Sequence, residues 1–137
     1  MLLAPATGHQ LGPAWVALCF ALAIHVADEA LTDFLSIYNP AVRAIRARFP
    51  FLPLPTFTFP VWLGGLIAVT VLLLGLAPAA FRGTPALRPW AYVFGIVMAG
   101  NGLLHLGASI WRRMLMPGTY SAPIILAAAI YLLASLQ

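Results

Sequence analysis

Apolar positions dominate four stretches of the chain, and short polar or proline-rich segments separate them. The stretches cover about residues 12–38, 60–81, 89–114 and 120–136. Each is of the order of the ~20 apolar residues that a helix needs to cross a bilayer. The pattern predicts an all-α, polytopic membrane protein: four transmembrane helices in one bundle, forming a single membrane domain over residues 1–137. Pro13 suits the first turn of the first helix, and Asn39-Pro40 is expected to end it.

The segment after that helix breaks the apolar pattern. It carries Arg43, Arg46 and Arg48 together with five prolines, from Pro40 to Pro60, so it does not continue as a regular span. Its centre, AVRAIRARF, predicts a short basic amphipathic helix lying in the membrane interface between helices 1 and 2. The proline-rich part that follows is expected to be an extended return. The second apolar run has no charge and reads as a plain lipid-facing helix. RGTPALRP forms a turn before the third run, and MPGTY forms a tight Pro-Gly turn after it.

Composition agrees with the membrane reading. Charged residues make up 7% of the chain, against roughly 25% in a soluble domain. The net charge of +4 comes from seven arginines and no lysine. These arginines flank apolar runs and are not interleaved with stacking aromatics, which argues against a nucleic-acid partner. No basic residue precedes the first run, so that run is expected to be a retained span and not a cleaved signal peptide. The single cysteine, Cys19, reads as a small buried apolar residue. His9 is expected in a solvent-exposed N-terminal tail. Trp15, Trp62, Trp90 and Trp111 fall near run ends and are expected to anchor in the interface. With four crossings, one side would hold Arg43, Arg46, Arg48, Arg112 and Arg113, and the other Arg82 and Arg88. The positive-inside rule then places both termini outside the cytoplasmic membrane, expected to be that of a bacterium.

The charge pattern changes the picture most inside the first run. All three acidic residues, Asp28, Glu29 and Asp33, lie there, beside His25. At roughly 100° per residue, His25, Asp28, Glu29, Thr32 and Ser36 form one stripe, which Leu18 and Ala21 extend. Such a stripe cannot face lipid, because ionisable groups within a span cost several kcal/mol unless they find partners. The third run supplies Asn101 and His105, four apart and so on one face. Both groups lie about 18–26 Å along their helices, so parallel helices bring them to one depth. Ala91, Gly95 and Ala99 form a small-residue line that would let the third helix approach closely. Asp33, at the edge of the stripe, is expected to pair with Arg112 or Arg113.

Carboxylates crowded in low dielectric resist ionisation unless a cation joins them. His25, Asp28, Glu29, Asn101 and His105 are therefore the expected ligands of one divalent metal, Zn²⁺ or Fe²⁺. A metal-bound water with Asp28 or Glu29 as general base would give the site catalytic residues. A metal-free proton relay or polar network is the competing reading of the same residues.

The motif set also resembles a known family. His25-Val-Ala-Asp28-Glu29 resembles the signature of the HXXEE family of small integral membrane proteins, with Asp28 in place of the first Glu. Asn101-Gly-Leu-Leu-His105, the basic pair and Pro117-Gly118-Thr119 are similar to that family's N-xxx-H and PG pattern. The resemblance covers roughly residues 15–35 and 90–130. It implies a membrane protein with a metal or catalytic site at these positions, and it implies no particular reaction.

The expected function is a metal-dependent membrane enzyme, a hydrolase or oxidoreductase acting on a lipid-like substrate among membrane lipids. A non-catalytic subunit of a larger membrane complex or homo-oligomer is the second reading. A proton- or ion-coupled transport component is the third.

Overall fold

The computed structural model describes residues 10–137, so the expectation for His9 lies outside the described residues. The described chain is all-helical: α1 is Leu11–Leu31, α2 Phe34–Arg48, α3 Phe59–Gly75, α4 Ala77–Phe81, α5 Arg88–Arg112 and α6 Ala122–Ala134. A short 3-10 turn, Pro85–Leu87, leads into α5.

Three segments are long and apolar enough to cross a membrane: Leu11–Leu31, Phe59–Phe81 (α3 with α4) and Pro85–Arg112. The fourth expected crossing is corrected. Helix α6 has 13 residues, about 20 Å at 1.5 Å per residue, against a hydrocarbon core of ~30 Å. Its start is delayed because Gly118, at φ +81°, keeps the chain turning until Ser121. Its end comes where the Ser135 hydroxyl donates back to the Leu132 carbonyl. The placement of both termini on one side rested on four crossings, and the lengths of these helices no longer require it.

The first run also breaks earlier than its apolar pattern suggests. Asp33 adopts a left-handed conformation (φ 56°), which Asp tolerates better than most residues. The Thr32 hydroxyl meanwhile folds back onto the Asp28 carbonyl at 2.6 Å. The helix therefore stops at Leu31 and restarts as α2, which runs through Asn39-Pro40 where an end was expected. Ser36 consequently leaves the polar stripe, and its hydroxyl donates to the Asp33 carbonyl. Asp33 itself is exposed and pairs with neither Arg112 nor Arg113, since the ion-pair contacts among the described residues both end on Glu29. The basic helix expected after residue 40 is thus the second half of α2, whose only buried residue is Val42. The extended return is present, pinned to α2 by paired hydrogen bonds between the Asn39 amide and the Phe57 backbone at 2.8 and 3.0 Å.

Helix α6 lies between α1 and α5 and packs on both. Its buried residues Ala122, Ile125, Ala129 and Leu132 recur at helical spacing on one stripe. Two of the four glycines of α5, Gly95 and Gly102, serve this contact. A Cβ on Gly102 would stand 3.0 Å from the Ala122 carbonyl, and one on Gly95 would stand 2.8 Å from the Leu133 side chain. At Gly95 the small-residue line thus admits α6, which fills most of the space between α1 and α5. Helix α3 packs on α1 and presents mostly apolar residues outward, as its uncharged sequence suggests.

The tryptophans divide. Trp90 and Trp111 are well exposed, as anchoring residues would be. Trp15 is corrected to the core: it is fully buried, edge-on to Phe94, and its indole N–H donates to the Leu73 carbonyl at 2.8 Å. Trp62 is also buried, stacked against Phe34. Both sit near helix ends in the sequence, but the neighbouring helices cover them.

Candidate metal centre

The polar stripe of α1 meets α5 at the depth expected. The rings of His25 and His105 lie with centroids 4.7 Å apart, nearly perpendicular. Glu29, one turn below His25, reaches between them: its Oε1 is 3.0 Å from His105 Nε2 and 3.6 Å from His25 Nε2. All three residues are buried.

Each ring is held from its far side by a hydrogen bond at Nδ1. His105 Nδ1 lies 2.6 Å from the Pro117 carbonyl, which can only accept, so Nδ1 carries the proton. His25 Nδ1 lies 2.7 Å from Ser121 Oγ. That hydroxyl has a stronger use for its own proton, a charge-assisted bond to Asp28 Oδ2 at 2.7 Å. With its proton on Nδ1, His25 donates to Ser121 Oγ; with the proton on Nε2, it accepts from Ser121 and turns its Nε2–H toward the side chain of Asn101. In the Nδ1–H tautomer of both rings, both Nε2 atoms present lone pairs toward a carboxylate oxygen. Three acceptors converge, and His25 Nε2 has no hydrogen-bond partner. Such an arrangement calls for a cation between the atoms, either a proton or a metal.

The donor set fits a metal. One ligand atom each from His25, Glu29 and His105 lies within 4.8 Å of the others. Ligand atoms bonded to one ion at ~2.0–2.2 Å stand roughly 3–3.6 Å apart, the range of the two Glu29–His separations, 3.0 and 3.6 Å. Two imidazoles and one carboxylate are a recurrent set for hydrolytic zinc and for non-haem iron, and both leave coordination positions open. Ligating histidines commonly donate their other N–H to a carbonyl or carboxylate, which is the role of Pro117 and of Asp28 through Ser121.

Of the five expected ligands, three form the cluster and two stand beside it. The Asp28 carboxylate turns to Ser121, accepting from both its hydroxyl and its backbone N–H at 2.7 and 2.8 Å. It orients His25 from behind. Asn101 has a buried Oδ1 with no hydrogen-bond partner and, with His105, Phe34 and Pro117, lines a cavity of about 350 Å³. The amide thus stands where a ligand in that cavity would approach the centre. Of the expected catalytic pair, Glu29 is in the cluster and Asp28 is behind it.

The chain from Arg113 to Ser121 forms a wall that sequence reasoning missed. Helix α5 ends in a Schellman turn: Arg113 is left-handed (φ 52°), and the Met114 N–H reaches back to the Ser109 carbonyl at 3.2 Å. The Ser109 hydroxyl, one turn below His105, then holds Met116 N–H and Thr119 Oγ1. The loop is stitched to α1 by Ser121 N–H on Asp28 and by Gly118 N–H on Thr32 Oγ1 at 3.3 Å. Gly118 presses on the site itself, for a Cβ there would lie 2.6 Å from His105 Cε1. The signal in the sequence was the hydroxyl run Thr119-Tyr120-Ser121 just before an apolar helix, a helix-start pattern that reads as a cap and gives no hint of a distant partner.

The geometry makes Ser121 testable. Ser121→Ala keeps the backbone bond to Asp28 but removes the hydroxyl that orients His25. The expected loss is roughly 10–100-fold in metal affinity, measured by chelator competition, with the helical content retained. Unchanged affinity would show that the Asp28–Ser121–His25 chain plays no part in holding the ion.

Compared with family models, curated proteins and solved structures, the chain matches none of them.

Proposed function

We propose that this chain is an integral membrane enzyme that uses one divalent metal, Zn²⁺ or Fe²⁺, held by His25, Glu29 and His105, to act on a lipid-like substrate. The observation that carries the reading is the convergence of His25 Nε2, Glu29 Oε1 and His105 Nε2, each ring held from behind at Nδ1 so that Nε2 faces inward. A bound metal would supply Lewis acidity, and at a zinc ion a water of lowered pKa. The residues of the chain would hold the ion, keep bulk water out and leave the Asn101 side open to the cavity. The donor set is compatible with hydrolytic and with oxidative chemistry. The resemblance to the HXXEE family supports the same residues. The proposed location is a bacterial cytoplasmic membrane, with α2 at the interface and its arginines toward the cytoplasm.

The short His105–Glu29 contact also fits a shared proton in a metal-free network, so the test must separate the two. Elemental analysis of the protein purified without chelator is expected to give close to one divalent ion per chain, lost in His25→Ala and in His105→Ala. A wild-type protein that carries no ion, and takes up none when Zn²⁺ or Fe²⁺ is supplied, would leave the polar-network reading and a non-catalytic role.

A further inference from the structure

The cavity at His105 does not end there. A wider apolar groove of about 650 Å³ continues from it between α2 and α5, and the two share Ile37, Leu104, Ala108 and Met116. Arg112 stands at the far end. It follows His105 by seven residues, close to two helical turns, so the two side chains share a face about 10 Å apart along α5. Arg112 is exposed and has no ion-pair partner among the described residues. Arg113 does not join it: the left-handed turn sends Arg113 to a separate cavity beside Ser109 and Leu115. The result is an open apolar groove in which Arg112 is the one cation among the described lining residues, with the His/Glu cluster at the other end.

We propose that this groove binds one single-chain amphiphile with a carboxylate head, a long-chain fatty acid, its head on Arg112 and its chain running past Ala108 and Leu104 to His105. This names the class of the lipid-like substrate and rests on the metal-enzyme reading for what happens at the centre, although binding itself does not need the metal. Charge selects the head. A guanidinium pairs a carboxylate through two parallel hydrogen bonds, and one unpartnered arginine matches one negative charge. A phosphomonoester head of higher charge would call for a second cation, but Arg113 is turned away and Arg43, Arg46 and Arg48 of α2 do not line the groove. Position selects the orientation. The exposed Trp111 lies beside Arg112 at the end of α5, where an interface is expected, and the cluster lies deeper. A lipid with its head at Arg112 therefore sends its chain inward. The spacing has a chemical consequence: the atoms that reach His105 lie roughly 10 Å from the head. The reacting position is within the chain, and the carboxylate serves as the handle.

Trp111 lines the groove and provides the readout. Dibromostearate, whose bromines quench indole fluorescence, would be titrated into the purified full-length protein in detergent, alongside its methyl ester and a brominated lysophosphatidate. Saturable quenching is expected for the acid, at least tenfold weaker for the ester and weaker for the phosphate. Arg112→Gln, a surface change that leaves the fold intact, should erase the preference of acid over ester. Ala108→Phe should remove saturable quenching by filling the groove, with thermal unfolding followed on the same sample. Equal binding of acid and ester to the wild type would overturn the proposal, as would phosphate binding as tightly as the acid, or an acid preference that survives Arg112→Gln. Metal content is measured on the same preparations. Acid-selective binding by a metal-free wild type would uphold the groove and sink the enzyme reading. Full metal occupancy without acid selectivity would do the reverse.

Discussion

Glu29→Gln is expected to abolish metal binding while leaving the protein folded. The substitution keeps the shape of the side chain and removes the only charge among the three converging acceptors. A carboxamide is a poor ligand for Zn²⁺ or Fe²⁺, and two neutral imidazoles alone leave the ion without charge compensation in a buried site. The amide also brings two N–H donors. One can fill the 3.0 Å contact with His105 Nε2, or the 3.6 Å gap to His25 Nε2, which has no partner in the wild type. Thermal stability of the metal-free variant should therefore equal or exceed that of metal-free wild type, while elemental analysis reads background. Bound metal at wild-type stoichiometry in Glu29→Gln would remove Glu29 from the ligand set and move the site to Asp28 or elsewhere.

Gly118→Ala is expected to damage both the loop and the centre. The residue sits at φ +81°, where a Cβ is strained whatever surrounds it. The added Cβ would lie 2.6 and 2.7 Å from Cε1 and Nδ1 of His105 and 3.1 Å from Glu29 Cγ. The ring and the loop are tied by the Nδ1–Pro117 hydrogen bond, so a shift of one against the other strains it. We expect a loss of roughly 1–3 kcal/mol in stability, as for overpacked cores, together with loss of metal. Gly64→Ala on α3 is the control, because nothing lies within 4 Å of a Cβ there, and its unfolding temperature should stay close to wild type. If Gly118→Ala retains full metal affinity, the loop is not the wall that fixes His105.

The sequence by itself determined that the protein is helical and apolar enough for a membrane, and that His25 and Glu29 would have to meet His105. Both follow from local rules. Helical periodicity places His25 and Glu29 on one face, and rise per residue sets them level with Asn101 and His105. A buried acid in a greasy helix needs a partner, and the chain offers few. The tertiary structure decided what those rules cannot reach. Trp15 sits near a helix end like an anchoring residue, but a neighbouring helix covers it. The small residues of α5 look ready for α1, yet α6 occupies most of that space, because it folds back directly from α5 across a short loop. The length of α6 was set at both ends, by the loop that turns at Gly118 and runs on to Ser121 and by the Ser135 hydroxyl folding back onto Leu132. Asp28 and Glu29 are adjacent and chemically alike, and only the position of Ser121, far along the chain, sends one to support a ring and leaves the other to face both. Periodicity constrains which side of a helix a residue occupies. What stands opposite it depends on contacts between distant segments, which one helix does not encode alone.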